Sequence, residues 1–355
     1  MRDAITMDMG GTSCDVSLVT GGQPVASSEV SVGPYPVSTP MVDVHTVGAG
    51  GGSVAWIDEG GALRVGPRST GADPGPICYG RGGTEPTVTD AHFLLGRLRP
   101  TSFDADLSPD RDAVRSGIAR HVADPLGMGV EEAAAGILKV ANANTERALR
   151  VVSVERGHDP RDLGLVAFGG AGPLHAAELA AALDVPRVLV PRAAGALSAL
   201  GLLASDVVYD YGVSRVRAWN SIDPGTIEET FREFETEGRD RLAEEGIPSE
   251  ERISERSVDV RYAGQAFDLT VDAPDPFDAD ALDTVARQFH ARHRERYGHA
   301  SPGEPLELTA VRVRARGLIE PPPLRAEGGD DLADAHRETR GVRFDPGDDG
   351  RVREA

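Results

Sequence analysis

The chain carries two carboxylates that bracket a run of small residues close to its start, Asp8-Met-Gly-Gly-Thr-Ser-Cys-Asp15. Gly10 and Gly11 have no Cβ, so their backbone N–H groups can converge on an anion such as phosphate. Thr12 and Ser13 add hydroxyl donors to the same anion. Asp8 ends the first strand and can hold a divalent cation, directly or through water. Asp15 opens the return strand and can orient that metal or an attacking water. A glycine-rich hairpin turn with no ligand fits the same pattern, so this loop needs a second one to give it meaning.

The second loop is Val166-Ala-Phe-Gly-Gly-Ala-Gly-Pro-Leu-His175. Gly169, Gly170 and Gly172 permit close approach of a ligand, and the helix that follows offers free N–H groups. His175 is placed beside that cleft. Asp43-Val-His45 sets two ligand-type side chains on one face of a strand. With Asp90 or His175 they would suit a second divalent ion, zinc or manganese; the alternative is that His45 orders the neighbouring glycine loop. Cys78 has no nearby cysteine partner and no visible cation to activate it, which makes it a poor nucleophile. His158-Asp159-Pro160 reads as a turn capping the preceding helix. Arg261, Tyr262 and Gln265 fit either a substrate or subunit contact or a strand edge.

The elements that must position these residues follow from periodicity. Ile5–Met9 and Cys14–Val19 read as strands around a Gly-Gly-Thr-Ser turn. Val47 to Gly83 is dense in glycine and proline yet threaded with apolar residues, which predicts ordered loops. Asp110 to Val154 has helical spacing. Leu163–Phe168, the Gly169–Pro173 turn and Leu174–Leu183 form a strand–turn–helix unit, followed by a strand at Arg187–Val190 and a small-residue helix at Ala193–Ala204. Beyond Ser205 glycine thins out and charge rises. Thr226–Glu245 and Asp278–Arg296 read as surface helices, with strands at Ser257–Asp272 and Glu307–Ala315. The expected division is a lobe over 1–205, an α+β domain over 206–325 and a flexible Gly/Asp/Arg-rich tail over 326–355.

Composition narrows the class. With 355 residues, 57 acidic against 37 basic side chains and a net charge of −20, the chain repels phosphate backbones and anionic lipids. Neither a nucleic-acid nor a membrane role is expected. No apolar stretch has the roughly 20 residues of a membrane span. Two cysteines, Cys14 and Cys78, fit a reducing cytoplasm. Lys139 is the one lysine, and an acid-rich, lysine-poor surface points to a salt-accumulating, halophilic organism.

Asp-x-Gly-Gly-Thr-x-x-Asp-Val-Ser between two strands resembles the second phosphate loop of the actin, heat-shock and sugar-kinase ATPase superfamily, and the Phe168-Gly-Gly-Ala-Gly172 loop resembles its adenosine motif. Met7-Asp-Met-Gly-Gly-Thr-Ser, Thr46-Val-Gly-Ala-Gly-Gly-Gly-Ser53, the Gly66–Gly83 run and Glu155-Arg-Gly-His-Asp-Pro-Arg161 resemble the hydantoinase A / 5-oxoprolinase family. Val260–Val271 and His293-x-x-x-Tyr-Gly-His299 resemble that family's C-terminal domain. The resemblance implies an α/β fold, the second lobe of an actin-like (ribonuclease H-like) ATPase with a smaller α+β domain. It implies ATP and Mg²⁺ as cofactors, Asp8 as a Mg²⁺ ligand, and Asp8, Thr12 and Asp15 as the catalytic set. Gly10, Gly11, Thr12 and Ser13 would cradle phosphate; Gly169, Gly170 and Gly172 would face the nucleoside.

Family members hydrolyse hydantoins or 5-oxoproline with ATP, or serve as nucleotide-handling subunits of acetone and acetophenone carboxylases. Complete members place a first phosphate loop of the form Gly-x-Asp-x-Gly-Gly-Thr-x-Thr-Asp ahead of the loop seen here, whereas seven residues precede Asp8. The expected partners are therefore an N-terminal hydantoinase A half and a hydantoinase B-type subunit, acting on a lactam or hydantoin. A ketone-carboxylase subunit and a non-catalytic remnant are the competing expectations.

Overall fold

The computed structural model describes residues 1–27, 30–32, 35–37, 41–103, 107–322 and 342–344. The chain divides into two units, Met1–Ala199 with Glu327–Ala355, and Leu200–Ala326.

The first unit is built on a mixed sheet. Strand β1 (Ala4–Met9) and strand β2 (Cys14–Thr20) alternate buried and half-buried residues, as a sheet covered on one face requires. They pair antiparallel in a tight hairpin, with Asp8 opposite Asp15 and Met9 opposite Cys14. Strand β3 (Val44–Val47) pairs antiparallel with β2, setting Thr46 opposite Asp15 and His45 opposite Val16. The glycine-dense region, expected as loops, includes a second hairpin, β4 (Ser53–Ile57) and β5 (Leu63–Ser69).

Helix α1 (Val88–Leu94) follows, opened by a capping box in which Thr87 and Asp90 each bond the other's backbone. The single long helix expected over 110–154 is interrupted. Helix α2 (Arg111–Ile118) continues irregularly to Leu126, and the chain then breaks at Gly127, in the left-handed region at φ 64°. Helix α3 (Val130–Val152) begins after the break. Its buried stripe, Ala133, Ala134, Ile137, Leu138, Ala141, Ala148, Leu149 and Val152, has the period of an amphipathic helix. The N-terminal part of that stripe packs with Val88, Phe93, Val114 and Ile118. Its C-terminal part packs on the sheet, against residues such as Ile5, Met7 and Val16.

Strand β6 (Gly164–Phe168) runs parallel to β1, with Phe168 opposite Asp8. Helix α4 (Gly172–Ala182) leads to the short strand β7 (Arg187–Leu189), which is parallel to β6. The sheet order is β7–β6–β1–β2, with both β3 and the Gln23–Pro24 strand pairing along β2. The tail expected over 326–355 lies outside the described residues apart from 342–344. There Val342 is buried, and the Arg343 N–H donates to the Leu95 carbonyl.

The second unit has a four-stranded antiparallel sheet. Strand β8 (Val207–Ala218), helix α5 (Pro224–Glu244), strand β9 (Arg252–Tyr262), strand β10 (Leu269–Asp272), helix α6 (Ala279–Tyr297) and strand β11 (Leu306–Gly317) follow in chain order. The sheet order is β8–β11–β9–β10. Phe231 of α5 and Val285 and Phe289 of α6 share one core with Val258, Val260, Val311 and Val313 of the sheet. No helix among the described residues is long and apolar enough to cross a membrane.

Candidate functional site

The two motifs meet at the end of β1. Within the hairpin the Gly10 N–H donates to the Ser13 carbonyl (3.1 Å). The Gly51 and Gly52 N–H groups donate to the carbonyls of Gly10 (2.9 Å) and Gly11 (2.6 Å). The glycine loop thus props the turn from behind. A Cβ on Gly50 would sit 2.7 Å from the Gly11 carbonyl carbon, so side chains are excluded at that contact. From the other side the Ala171 N–H donates to the Met9 carbonyl (2.9 Å). Gly169 has φ 80°, and a Cβ there would lie 2.4 Å from Asp8 Oδ1.

Gly10, Gly11 and Gly170 behave differently. None has a left-handed φ, and a Cβ on any of them would meet nothing within 4 Å. The backbone therefore does not call for glycine at these three positions. Open space beside a cluster of Cβ-free backbone is a cradle that side chains would partly fill.

Asp8 and Asp15 face each other across the hairpin, and each takes a hydroxyl partner from elsewhere in the chain. Ser198 Oγ donates to Asp8 Oδ2 (2.6 Å), and Thr46 Oγ1 donates to Asp15 Oδ1 (2.5 Å). Both carboxylates are half-buried, while Thr12, Thr46 and Ser198 are exposed. Thr12 Oγ1 lies 3.4 Å from Ser69 Oγ. Two carboxylates with several hydroxyls form a hard oxygen set, which suits Mg²⁺.

The second metal set is not assembled. Asp43 forms an ion pair with Arg156, which neutralises it. Asp90 is fully buried and accepts from the N–H groups of Ile77, Cys78 and Thr87 and from the Thr87 hydroxyl. Burial pushes its carboxyl above the ordinary carboxylate range, while these donors pull it down. Its oxygens are spent on the fold. His45 lies on β3 between exposed neighbours. Among the described residues no group of three or more His, Cys, Asp or Glu side chains is placed to hold a metal ion.

His175 does not face the cleft either. It is buried, its Nε2 lies 3.2 Å from His92 Nε2, and its Nδ1 lies 2.5 Å from Asn142 Oδ1. Cys78 is buried, and that burial raises its thiol far above the range of a nucleophile. Cys14 is a core residue whose thiol burial pushes up to about 12. The His158 N–H closes the end of α3 on the Ser153 carbonyl (2.9 Å). In the second unit Arg261 pairs with Glu307, and the Tyr262 hydroxyl accepts from the Ser301 N–H, so both serve the local fold. Ser198 and Thr46 were not among the sequence candidates. Thr46 sits within the quoted Thr46–Ser53 motif, but Ser198 carries no local signal that ties it to Asp8.

The family model for hydantoinase/oxoprolinase matches residues 1–211. Caprolactamase subunit alpha of Pseudomonas jessenii is 37% identical over 327 residues, covering 91% of this chain and 47% of that protein. The crystal structure of that ATP-dependent caprolactamase aligns with a TM-score of 0.71 at 34% identity, over 100% of this chain and 52% of the matched chain. 5-Oxoprolinase 1 of Arabidopsis thaliana is 35% identical over 337 residues, 89% of this chain and 26% of that protein. The nucleotide-free structure of acetone carboxylase, an enzyme of ATP-dependent acetone carboxylation, aligns with a TM-score of 0.88 at 27% identity, over 100% of this chain and 52% of that one. The chain thus spans about half the length of the caprolactamase subunit and a quarter of the plant protein. On the match of the family model to more than half its length, the chain belongs to the hydantoinase/oxoprolinase family.

Proposed function

We propose that this chain is the nucleotide-handling part of an ATP-dependent cyclic-amide hydrolase. The observation that carries the reading is the glycine cradle. Gly10, Gly11 and Gly170 face open space beside Asp8 and Asp15, without a backbone reason to be glycine. Such a surface admits a polyphosphate to within hydrogen-bond distance of the main chain. ATP-dependent relatives on both sides of the family support the choice of nucleotide.

The chemistry needs ATP because amide resonance makes a lactam carbonyl a poor electrophile. Transfer of the terminal phosphoryl group to the carbonyl oxygen, with ADP leaving, traps the imidate form. Water then adds to the ring carbon, the carbon–nitrogen bond breaks as the ring nitrogen leaves with a proton, and a second water hydrolyses the resulting acyl phosphate to the amino acid and phosphate. Enzymes of this type work mainly by positioning and by stabilising charge. Here the hairpin backbone and the hydroxyls of Thr12 and Ser13 would hold phosphate oxygens. Asp8 and Asp15 would hold Mg²⁺, which when bound neutralises polyphosphate charge. Asp15 would also orient water. The loop from Gly169 to Gly172 would lie against the nucleoside.

The whole reaction is proposed for an assembled enzyme. The matched relatives extend well beyond the region this chain covers, and one of them is a named subunit. The proposed partners are a first-lobe segment of hydantoinase A type and a B-type subunit. A second reading, a subunit of a ketone carboxylase, is favoured by the higher structural likeness to acetone carboxylase. The two readings separate on substrate. The chain assembled with those partners should release phosphate from ATP when given 5-oxoproline, a hydantoin or caprolactam. Phosphate release that depends instead on acetone and bicarbonate would select the carboxylase.

A further inference from the structure

Asp8 and Asp15 stand directly opposite each other in the β1–β2 ladder. Like charges in that relation repel and destabilise a hairpin. Elsewhere in the chain comparable carboxylates are held by arginine: Asp43 by Arg156, Asp259 by Arg312, Asp210 by Arg314. At the hairpin the side-chain donors to the two carboxylates are, among the described residues, hydroxyls. Ser198 Oγ donates to Asp8 Oδ2, and Thr46 Oγ1 donates to Asp15 Oδ1. An arginine would fix a carboxylate and cancel its charge. A hydroxyl fixes one oxygen and leaves the charge in place.

Both hydroxyls are themselves positioned by the two motifs. Thr46 lies on β3, opposite Asp15 in register, at the entry to the glycine loop that props the turn. Ser198 follows a short turn held by the Ala196 N–H on the Ala193 carbonyl. That turn is anchored where the Gly169 N–H donates to the Ala194 carbonyl (2.9 Å). Gly169 leaves room for Asp8 Oδ1, which a Cβ at that position would approach to 2.4 Å. Ser198 therefore fixes one Asp8 oxygen, and the Gly169 loop, free of a side chain, leaves the other its space.

We propose that Ser198 and Thr46 are positioning residues that hold Asp8 and Asp15 aligned, through neutral hydroxyls, for a divalent cation carried by a nucleotide. The inference rests on the nucleotide reading above, and its test separates the two. Titrate the assembled enzyme and ATP with Mn²⁺, following free Mn²⁺ by electron paramagnetic resonance. Ser198→Ala and Thr46→Val should each weaken Mn²⁺ binding about tenfold, the scale of a lost hydrogen bond to a charged group. Ser198→Thr and Thr46→Ser keep a hydroxyl and should stay within a factor of two or so of wild type on the same reasoning. All four should melt within a few degrees of wild type, because both residues are exposed. Unchanged Mn²⁺ affinity in Ser198→Ala and Thr46→Val, with wild type binding normally, overturns the inference and leaves the nucleotide reading standing. A wild type that binds no Mn²⁺ with ATP overturns both.

Discussion

His92 and His175 stand edge to face in the first unit, ring centroids 4.7 Å apart and Nε2 atoms 3.2 Å apart. Their tautomers follow from the chain of partners. Asn142 Nδ2 donates to Glu178 Oε2, so Asn142 Oδ1 is the acceptor for His175 Nδ1–H. His175 Nε2 then carries a lone pair, which accepts from His92 Nε2–H. His92 Nδ1 is left as a buried lone pair without a hydrogen-bond partner among the described residues. Glu178 closes the chain on Arg97 at 2.7 Å. Every hydrogen in this row is assigned for neutral imidazoles, and a proton added to either ring has no acceptor waiting.

That arrangement predicts an acid-labile fold. Burial lowers His92 well below its ordinary range, and the neighbouring His175 and Arg97 add to the effect. Burial, then the Arg97 charge, lowers His175 to about 4. The unfolded chain takes up protons near pH 6.5, whereas the folded chain refuses them until about 4. Stability from this pair is therefore present above about pH 6.5 and lost as pH falls towards 4, by about 3 kcal/mol for His175 alone. Melting curves across that window should show wild type losing more stability than a His92→Asn, His175→Asn double variant. Parallel pH profiles for the two proteins would refute the assignment.

Asp90 supplies a structural prediction. Its carboxylate satisfies three backbone N–H groups and a hydroxyl inside the fold. Asp90→Ala should cost on the order of 3 kcal/mol, because it strands several buried donors. Urea unfolding would measure this, and a loss below about 1 kcal/mol would show that the network relaxes readily.

The Asp90 case also shows what could be read in advance. Thr87-Val-Thr-Asp90 is a capping-box pattern visible in the sequence, and it explains Asp90 without a metal. The β1–β2 hairpin and the strand–turn–helix unit around Gly169 were legible because glycine and alternation are local signals. The Asp43 ion pair is not legible in the sequence because its partner, Arg156, is remote in the chain. Ser198 on Asp8 and His92 on His175 were hidden for the same reason. Strand β8 does carry a period-two signal, Val207, Tyr209, Tyr211 and Val213 packing half-buried on the cores of the second unit, but Gly212, Arg215 and Arg217 shorten it.

Two neighbouring glycines should respond in opposite ways. Gly169→Ala forces a side chain into a left-handed φ and against Asp8 Oδ1, so it should lower stability by about 2 kcal/mol or more. Gly170→Ala meets nothing within 4 Å and should leave the melting temperature almost unchanged. Its methyl would intrude on the cradle and weaken nucleotide binding in the assembled enzyme. A Gly170→Ala protein that binds ATP as wild type does would mean the open space is not a ligand site.

The charge balance predicts a response to salt. With a net charge of −20 the fold repels itself, and screening should stabilise it. The melting temperature is expected to rise between low and molar KCl. A flat or falling curve would show that local ion pairs outweigh the overall repulsion.

The catalytic assignment turns on a comparison between Asp8 and Asp43. Asp8 sits at the turn among hydroxyls and open glycines, whereas Asp43 is neutralised by Arg156 on the strand side. In the assembled enzyme Asp8→Asn removes a charge that nothing else at the turn replaces. Lactam-dependent ATP turnover should fall by roughly 10² or more, the scale of lost transition-state charge stabilisation. The melting temperature should hold, because Asp8 is half-buried at a strand end and repels Asp15. Asp43→Asn should do the reverse, costing up to about 1 kcal/mol through the broken ion pair while turnover is kept. Turnover that survives Asp8→Asn and collapses in Asp43→Asn would move the metal to the β3 side. The phosphate-loop assignment of the hairpin would fall with it.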